Sequence, residues 1–256
     1  MTYQNNLKEN FNNIIDRFEP ARIEPGVLSD EQVSELFQHQ FILAEGAKWT
    51  PTSRNIQTYV DIDTLFERCP FLNDIMGNII GDYYKHHSGN FYVTTQLHDA
   101  HVDLLTEEET QRFDWTKNVV PWKSCVIPLA ITPGADAHTA FFNERHIGYS
   151  VTFDRVGASS QDNSDYELVR EYPTLYDING EVLETDIPNS VSTGFLFPQI
   201  PEGNKRGLSI ETVLPFNLGD IMVFDACQIH ASCVKHNKPN YKWLKSGINI
   251  QFYKEI

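Results

Sequence analysis

The chain has 256 residues, and its 20 Lys+Arg against 35 Asp+Glu give a formal net charge of −15. Hydrophobic residues make up 41% and aromatics 12%, which supports a sizeable core and excludes a disordered chain. That charge repels phosphate backbones and anionic lipid, no run nears the ~18 apolar residues of a membrane span, and no dense basic cluster is present. Nucleic acid and membrane are therefore not expected as partners.

The chain begins Met1-Thr2-Tyr3-Gln4, with no basic and then apolar leader, so secretion is not expected. Cys69, Cys125, Cys227 and Cys233 do not form a disulfide framework and read as reduced thiols in a cytoplasm. One domain, 1–256, is expected, with a helical part over about 1–88 and a β-core over about 89–256.

In chain order, Leu7, Phe11, Ile14, Ile15 and Phe18 recur at helix spacing. Ser29 and Gln32 make a capping box, followed by Val33, Leu36, Phe37 and Phe41 at the same spacing. Asp63 is expected to cap a turn running to Cys69. Pro70 then opens a helix through Leu72, Ile75, Ile79 and Tyr83. His39 falls on the surface pattern of its helix, and His86-His87 at a helix end, where cations suit the dipole.

From Gly89 the texture changes. Residues 91–97 (FYVTTQL) are β-branched and aromatic and predict a strand. Residues 124–131 (SCVIPLAI) predict another, with Pro128 marking an edge or a bulge. Shorter strands are expected over 139–142, 220–224, 228–232 and 246–253. Asn179-Gly180 is a hairpin turn signal, and 157–165 and 203–207 read as polar loops. The pattern is a helical layer on a β-sandwich or barrel.

Three segments carry chemistry. In His101-Val102-Asp103 an extended backbone points residues two apart to one face, presenting an imidazole and a carboxylate together. His98, three residues away, would face the other side of a regular strand. Residues 218–232 (LGDIMVFDACQIHAS) read as a turn, an apolar strand, a bend, and His230 entering a further strand. Residues 245–253 (KSGINIQFY) are a strand opening on a cation. Two His and one carboxylate make the set that holds iron(II) on one face with other positions open. Asp136-Ala137-His138 offers the same two donor types, so His138 competes with His101. Cys227 and Cys233 flank His230, but no C-x-x-C pair points to structural zinc.

In this order the segments resemble the 2-oxoglutarate/iron(II) dioxygenase superfamily, in its phytanoyl-hydroxylase-like and prolyl-hydroxylase-like branches. The likeness rests on H-x-D at 101–103, a G-D-x-x-x-F run at 219–224 leading to His230, and Lys245 opening the last core strand. It implies a mainly β (α+β) fold with a double-stranded β-helix (jelly-roll, cupin-like) core buttressed by N-terminal helices. It implies that His101, Asp103 and His230 bind Fe(II), and that Lys245 pairs with the distal carboxylate of 2-oxoglutarate. Gln96, Thr139 and Asn143 are then the expected polar groups of the cavity, and dioxygen the second co-substrate.

Two features depart from the family pattern. The cation is Lys where Arg is usual, which loses the bidentate fork. It also follows His230 by 15 residues, a longer gap than usual, which leaves Lys238 and Lys242 as rivals. The run 248–252 (INIQF) sets the register in favour of Lys245. The implied activity is hydroxylation of a small polar molecule, with a peptide or protein side chain as the alternative. Asp103 argues against halogenation, which needs that carboxylate absent. A non-oxygenase cupin-type metal-binding protein or isomerase is the rival reading, although no tight H-x-H pattern is present. Substrate-covering loops are expected over 144–211, where Arg145, Arg155 and Arg170 would suit a carboxylate-bearing substrate. No oligomeric state is read from the sequence.

Overall fold

The computed structural model describes residues 18–43, 50–51, 55–81, 84–94, 97–98, 100–104, 119–135, 137–147, 175–176, 208–233 and 245–255. The expected helix over 7–18, apart from Phe18, the 179–180 hairpin, both polar loops, and Tyr83, Gln96, Asp136, Arg155, Arg170, Lys238 and Lys242 lie outside the described residues.

Helix α1 (Asp30–Ile42) begins where the capping box places it. The Gln32 amide donates to Ser29 Oγ at 3.3 Å, and the Ser29 amide to Gln32 Oε1 at 2.8 Å. Helix α2 (Ile62–Arg68) is capped by Asp61 rather than Asp63. The Asp61 carboxylate accepts from the Asp63 amide at 3.2 Å and from the Thr64 hydroxyl at 2.7 Å, so two donors of the first turn point back to it. Helix α3 (Pro70–Ile80) starts on Pro70 and ends at Gly81, whose φ of 96° only glycine adopts readily.

Eleven strands follow in chain order among the described residues: β1 (Arg22–Glu24), β2 (Thr50–Pro51), β3 (Asn55–Tyr59), β4 (Tyr84–Thr94), β5 (Val119–Ile131), β6 (His138–His146), β7 (Leu175–Tyr176), β8 (Ile210–Pro215), β9 (Ile221–Asp225), β10 (Gln228–Cys233) and β11 (Lys245–Glu255). The larger sheet has the order β1-β9-β5-β11-β4-β3-β2; the smaller runs β10-β6-β7, with β8 also on β6. Every one of these pairings is antiparallel. The architecture is a mainly β jelly-roll core with helices on one face.

The helical part is interrupted by strands. β1 to β3 and the first half of β4 lie inside it, and His86 and His87 belong to β4, not to a helix end. Residues 84–90 lack a regular apolar alternation. They are extended because they pair with β11, across a register shift at His87, a long-range contact that overrides local preference. Pro128 sits in a central strand, between β9 and β11, at a register shift where Gly247 faces Pro128 and Ser246 faces Ala130. The bulge also changes strand parity, because Leu129 packs towards the helices and Ile131 towards the interior.

Alternation sorts the larger sheet into two faces. Ile221, Val223, Cys125, Ile127, Ile248, Ile250 and Phe252 pack against Leu36, Leu65, Leu72 and Met76 of the helices. Met222, Phe224, Val126 and Tyr92 turn the other way and meet Phe141 and Leu214 of the smaller sheet. The functional groups described below open into that inner layer.

A buried ion cluster ties one end of the core. Asp225 on β9 lies opposite Lys123 on β5, with Lys123 Nζ 2.6 Å from Asp225 Oδ1 and Arg145 Nη2 3.1 Å from Asp225 Oδ2. Arg145 also donates to the carbonyls of Asn143 and Glu19. It is 0% exposed, so it is not available to a substrate. The expectation for Arg145 is therefore corrected: its charge neutralises Asp225.

Candidate metal centre

The backbone brings the three candidate ligands together. His98 and residues 100–103 run antiparallel beside β10. His101 and His230 exchange backbone hydrogen bonds at 2.9 and 3.0 Å, the Ser232 amide donates to the His98 carbonyl, and the Asp103 amide donates to the Ala226 carbonyl. Residues directly opposite in such a pair project to one face, so the two imidazoles meet with centroids 4.1 Å apart. Asp103, two residues beyond His101, joins that face. Strand β10 holds His230 opposite Phe141 of β6, and its ring packs against Phe224 and Phe141 at 4.7 and 5.6 Å. His98 does not face away as expected. Its ring lies 5.1 Å from that of His101, so the two side chains share a side of the chain rather than opposing each other.

One ligand atom from each of His101, Asp103 and His230 lies within 4.8 Å of the others. His101 Nε2 is 3.8 Å from Asp103 Oδ1, and His230 Nε2 is 3.8 Å from Asp103 Oδ2. These separations are too long for hydrogen bonds and short enough for each pair to reach one ion at about 2.0–2.2 Å.

The protonation pattern fits a cation. His230 Nδ1 lies 3.1 Å from the Gln228 carbonyl, which only accepts, so Nδ1 carries the hydrogen. Burial first, and then the neighbouring His101, push the His230 imidazole down to about 4, so it is neutral at pH 7. Its Nε2 lone pair therefore faces the Asp103 carboxylate. Two acceptors facing each other inside a protein are reconciled by a shared cation. Asn249 of β11 donates from Nδ2 to Asp103 Oδ2 at 2.9 Å and fixes the carboxylate. The side chain of His101 is 22% exposed, against 7% for His230, so the site is reached from the His101 side.

Lys245 opens β11 and is 5% exposed. It lies opposite Thr94 of β4 and Ile131 of β5, with Nζ 4.9 Å from the Phe216 ring centroid. Burial pushes its ammonium down to about 8. Its charge is near enough to help depress His230. Lys245 and Asn249 face the inner layer, while Ile248, Ile250 and Phe252 face the helices, in keeping with strand parity. Gly247 between them does not leave empty room. A Cβ there would stand 2.6 Å from the Tyr92 hydroxyl and 2.8 Å from the Ile127 carbonyl, so the glycine makes space for Tyr92. Burial and then the Asp103 charge raise the Tyr92 phenol above its ordinary value, which keeps it a neutral donor.

Thr139 is half-buried on β6 opposite Ser232, on the same parity as Phe141. The Asn143 amide nitrogen donates to Ser209 Oγ at 3.0 Å, which engages it at the β6–β8 junction. His138 begins β6 opposite Cys233 and Pro215, and it belongs to neither group of potential ligands found among the described residues. Sequence reasoning misses Tyr92, Phe216 and Asn249. The signal for Tyr92 and Asn249 is strand register across β4 and β11, and Phe216 is placed by the end of β8; local spacing carries neither.

No family model matches the chain, and no curated protein sequence matches it. Solved structures do. The non-heme alpha-ketoglutarate-dependent epimerase SnoN from nogalamycin biosynthesis aligns at 10% identity and a TM-score of 0.50, over 97% of this chain and 80% of that one. The carbocyclase SnoK from the same biosynthesis aligns at 14% identity and 0.47, over 99% and 86%. A Pseudomonas putida prolyl-4-hydroxylase aligns at 10% identity and 0.44, over 97% and 99%. The chain therefore shares its fold with the first of these, SnoN.

Proposed function

We propose that the protein is a non-haem iron(II), 2-oxoglutarate-dependent dioxygenase that hydroxylates a small polar molecule. The observation that carries this reading is the convergence of His101, Asp103 and His230, one ligand atom of each within 4.8 Å of the others, in a fold shared with SnoN. His101, Asp103 and His230 would hold iron(II), and Lys245 would hold the distal carboxylate of 2-oxoglutarate. The bound metal and co-substrate supply the activation of dioxygen and the oxidation of the substrate.

The chain's own residues prepare that chemistry. Gln228 fixes the tautomer of His230, and Asn249 fixes the rotamer of Asp103. Phe141, Phe224 and Phe216 dry the inner layer, which strengthens the Lys245–carboxylate attraction. Thr139 is on the inward parity and is a candidate to hydrogen-bond the co-substrate. Asn143 is a weaker one, since Ser209 engages its side-chain amide.

Asp103 favours hydroxylation over halogenation. SnoN and SnoK are an epimerase and a carbocyclase by name, so this fold houses more than one outcome. The reading places the protein in the cytoplasm, a reducing compartment that suits four cysteines with no disulfide. Among the described residues, no helix is long and apolar enough to cross a membrane.

The test is turnover. Purified protein with iron(II), 2-oxoglutarate and a panel of small polar metabolites should release succinate and add one oxygen from dioxygen to one panel member. A product carrying chlorine, or succinate release unchanged in Asp103→Ala, would contradict the proposal.

A further inference from the structure

The helical layer holds a second cluster of ligand-type side chains, on the far side of the larger sheet from the first. Glu35 and His39 stand one turn apart on α1, so their side chains share a face of that helix. Cys69 joins α2 to α3, as the last cap of one and the first cap of the other. Its Sγ lies 3.9 Å from Glu35 Oε1. One ligand atom from each of the three residues lies within 4.8 Å of the others.

Two observations separate this cluster from an ordinary surface pair beside a core thiol. First, His39 Nδ1 is buried and has no hydrogen-bond partner among the described residues. A buried ring nitrogen left so costs free energy that a ligand would recover. Second, the Cys69 thiol makes no capping hydrogen bond at the start of α3; it donates to the Glu35 carboxylate instead, which turns the sulfur toward the other two donors. Burial first, and then the Glu35 carboxylate, push the Cys69 thiol up to about 11, so without an ion it keeps its proton, and a bound cation is what would draw it off.

We propose that Glu35, His39 and Cys69 form a binding site for one divalent ion of the zinc class, separate from the His101–Asp103–His230 centre. A thiolate, an imidazole and a carboxylate are the donor types zinc takes, and the thiolate selects against magnesium and calcium. Cys69 is buried, His39 half-buried and Glu35 exposed, so the cluster has a solvent side by which an ion enters. Binding exchanges the Cys69 Sγ proton for the metal and releases that proton to solvent. The ion would join α1 to the α2–α3 junction, across helices whose Leu36, Leu65 and Leu72 pack on the sheet.

Cobalt(II) is a suitable probe, because a thiolate ligand gives a near-ultraviolet charge-transfer band that the His–Asp–His centre does not produce. The experiment uses the full chain carrying His101→Ala and His230→Ala, kept reduced. Cobalt should give this band at one ion per chain, and zinc should displace it. Glu35→Gln and His39→Ala, at positions outside the deepest core, should each weaken cobalt binding about tenfold or more. Cys69→Ser should abolish the band. Zinc should raise the thermal midpoint of the parent and not of the His39→Ala chain. No band at saturating cobalt, a band that survives Cys69→Ser, or cobalt affinity unchanged in both Glu35→Gln and His39→Ala would overturn the site.

Discussion

At Lys245 burial and charge are in tension. The ammonium is held down to about 8, against an ordinary value of 10.5, by the apolar layer around it. A carboxylate placed beside it relieves that tension. Lys245→Ala should therefore weaken 2-oxoglutarate binding by a factor of a hundred or more, about 3 kcal/mol, with little change in iron affinity. Equal loss of both affinities would make Lys245 merely structural. The same logic sets a pH dependence. The free lysine loses its proton near pH 8, and the carboxylate needs that proton. Between about pH 8 and 10.5 the dissociation constant of 2-oxoglutarate should thus rise by up to about tenfold per unit, and below pH 8 Lys245 should contribute no slope. Asn249 acts through Asp103 rather than on any ligand directly. Asn249→Leu keeps the side-chain size and removes the donor, and should lower metal affinity about 10–100-fold in a direct titration.

At the level of elements, the site is a product of register. β11 delivers Lys245 and Asn249 to one face, and Gly247 between them admits Tyr92 from β4. Gly247→Ala should cost about 1–3 kcal/mol in urea unfolding, because its Cβ meets a backbone carbonyl that cannot give way easily. The Asp225 cluster pins β9 to β5 and β6. Asp225→Ala leaves buried Lys123 with only the exposed Glu19, and Arg145 with only Glu211 at 3.5 Å; it should cost about 3–5 kcal/mol, and a loss under about 0.5 kcal/mol would refute that account. Part of this is legible in the sequence. The H-x-D parity, the Ser29 capping box, Pro70 and the alternation in 248–252 are short-range signals, and they place α1, α3, β11 and the ligand face. The N-terminal strands are not legible, because β3 and the first half of β4 are extended by partners far along the chain. Asp61 and Asp63 both stand at the start of the same helix, and only geometry shows that Asp61 is the cap. Arg145 reads as a substrate cation because its partner, Asp225, is 80 residues away in sequence.

For the molecule as a whole, the −15 charge opposes an anionic co-substrate at long range, while Lys245 attracts it at short range. Salt screens the first more than the second, since the lysine is buried. The association rate of 2-oxoglutarate should therefore rise with ionic strength in stopped-flow mixing, where a site steered by exposed basic residues would show a fall. The two sheets bring two imidazoles and one carboxylate together, and β11 buries Lys245 beside Phe216 in the same inner layer. The most direct test is an anaerobic titration of 2-oxoglutarate into the iron(II)-loaded protein, read by the visible iron-to-2-oxoglutarate charge-transfer absorption. The account predicts that this band appears at one equivalent per chain and is lost in His230→Ala. A protein that takes up no iron, or a band of equal strength in His230→Ala, would contradict it.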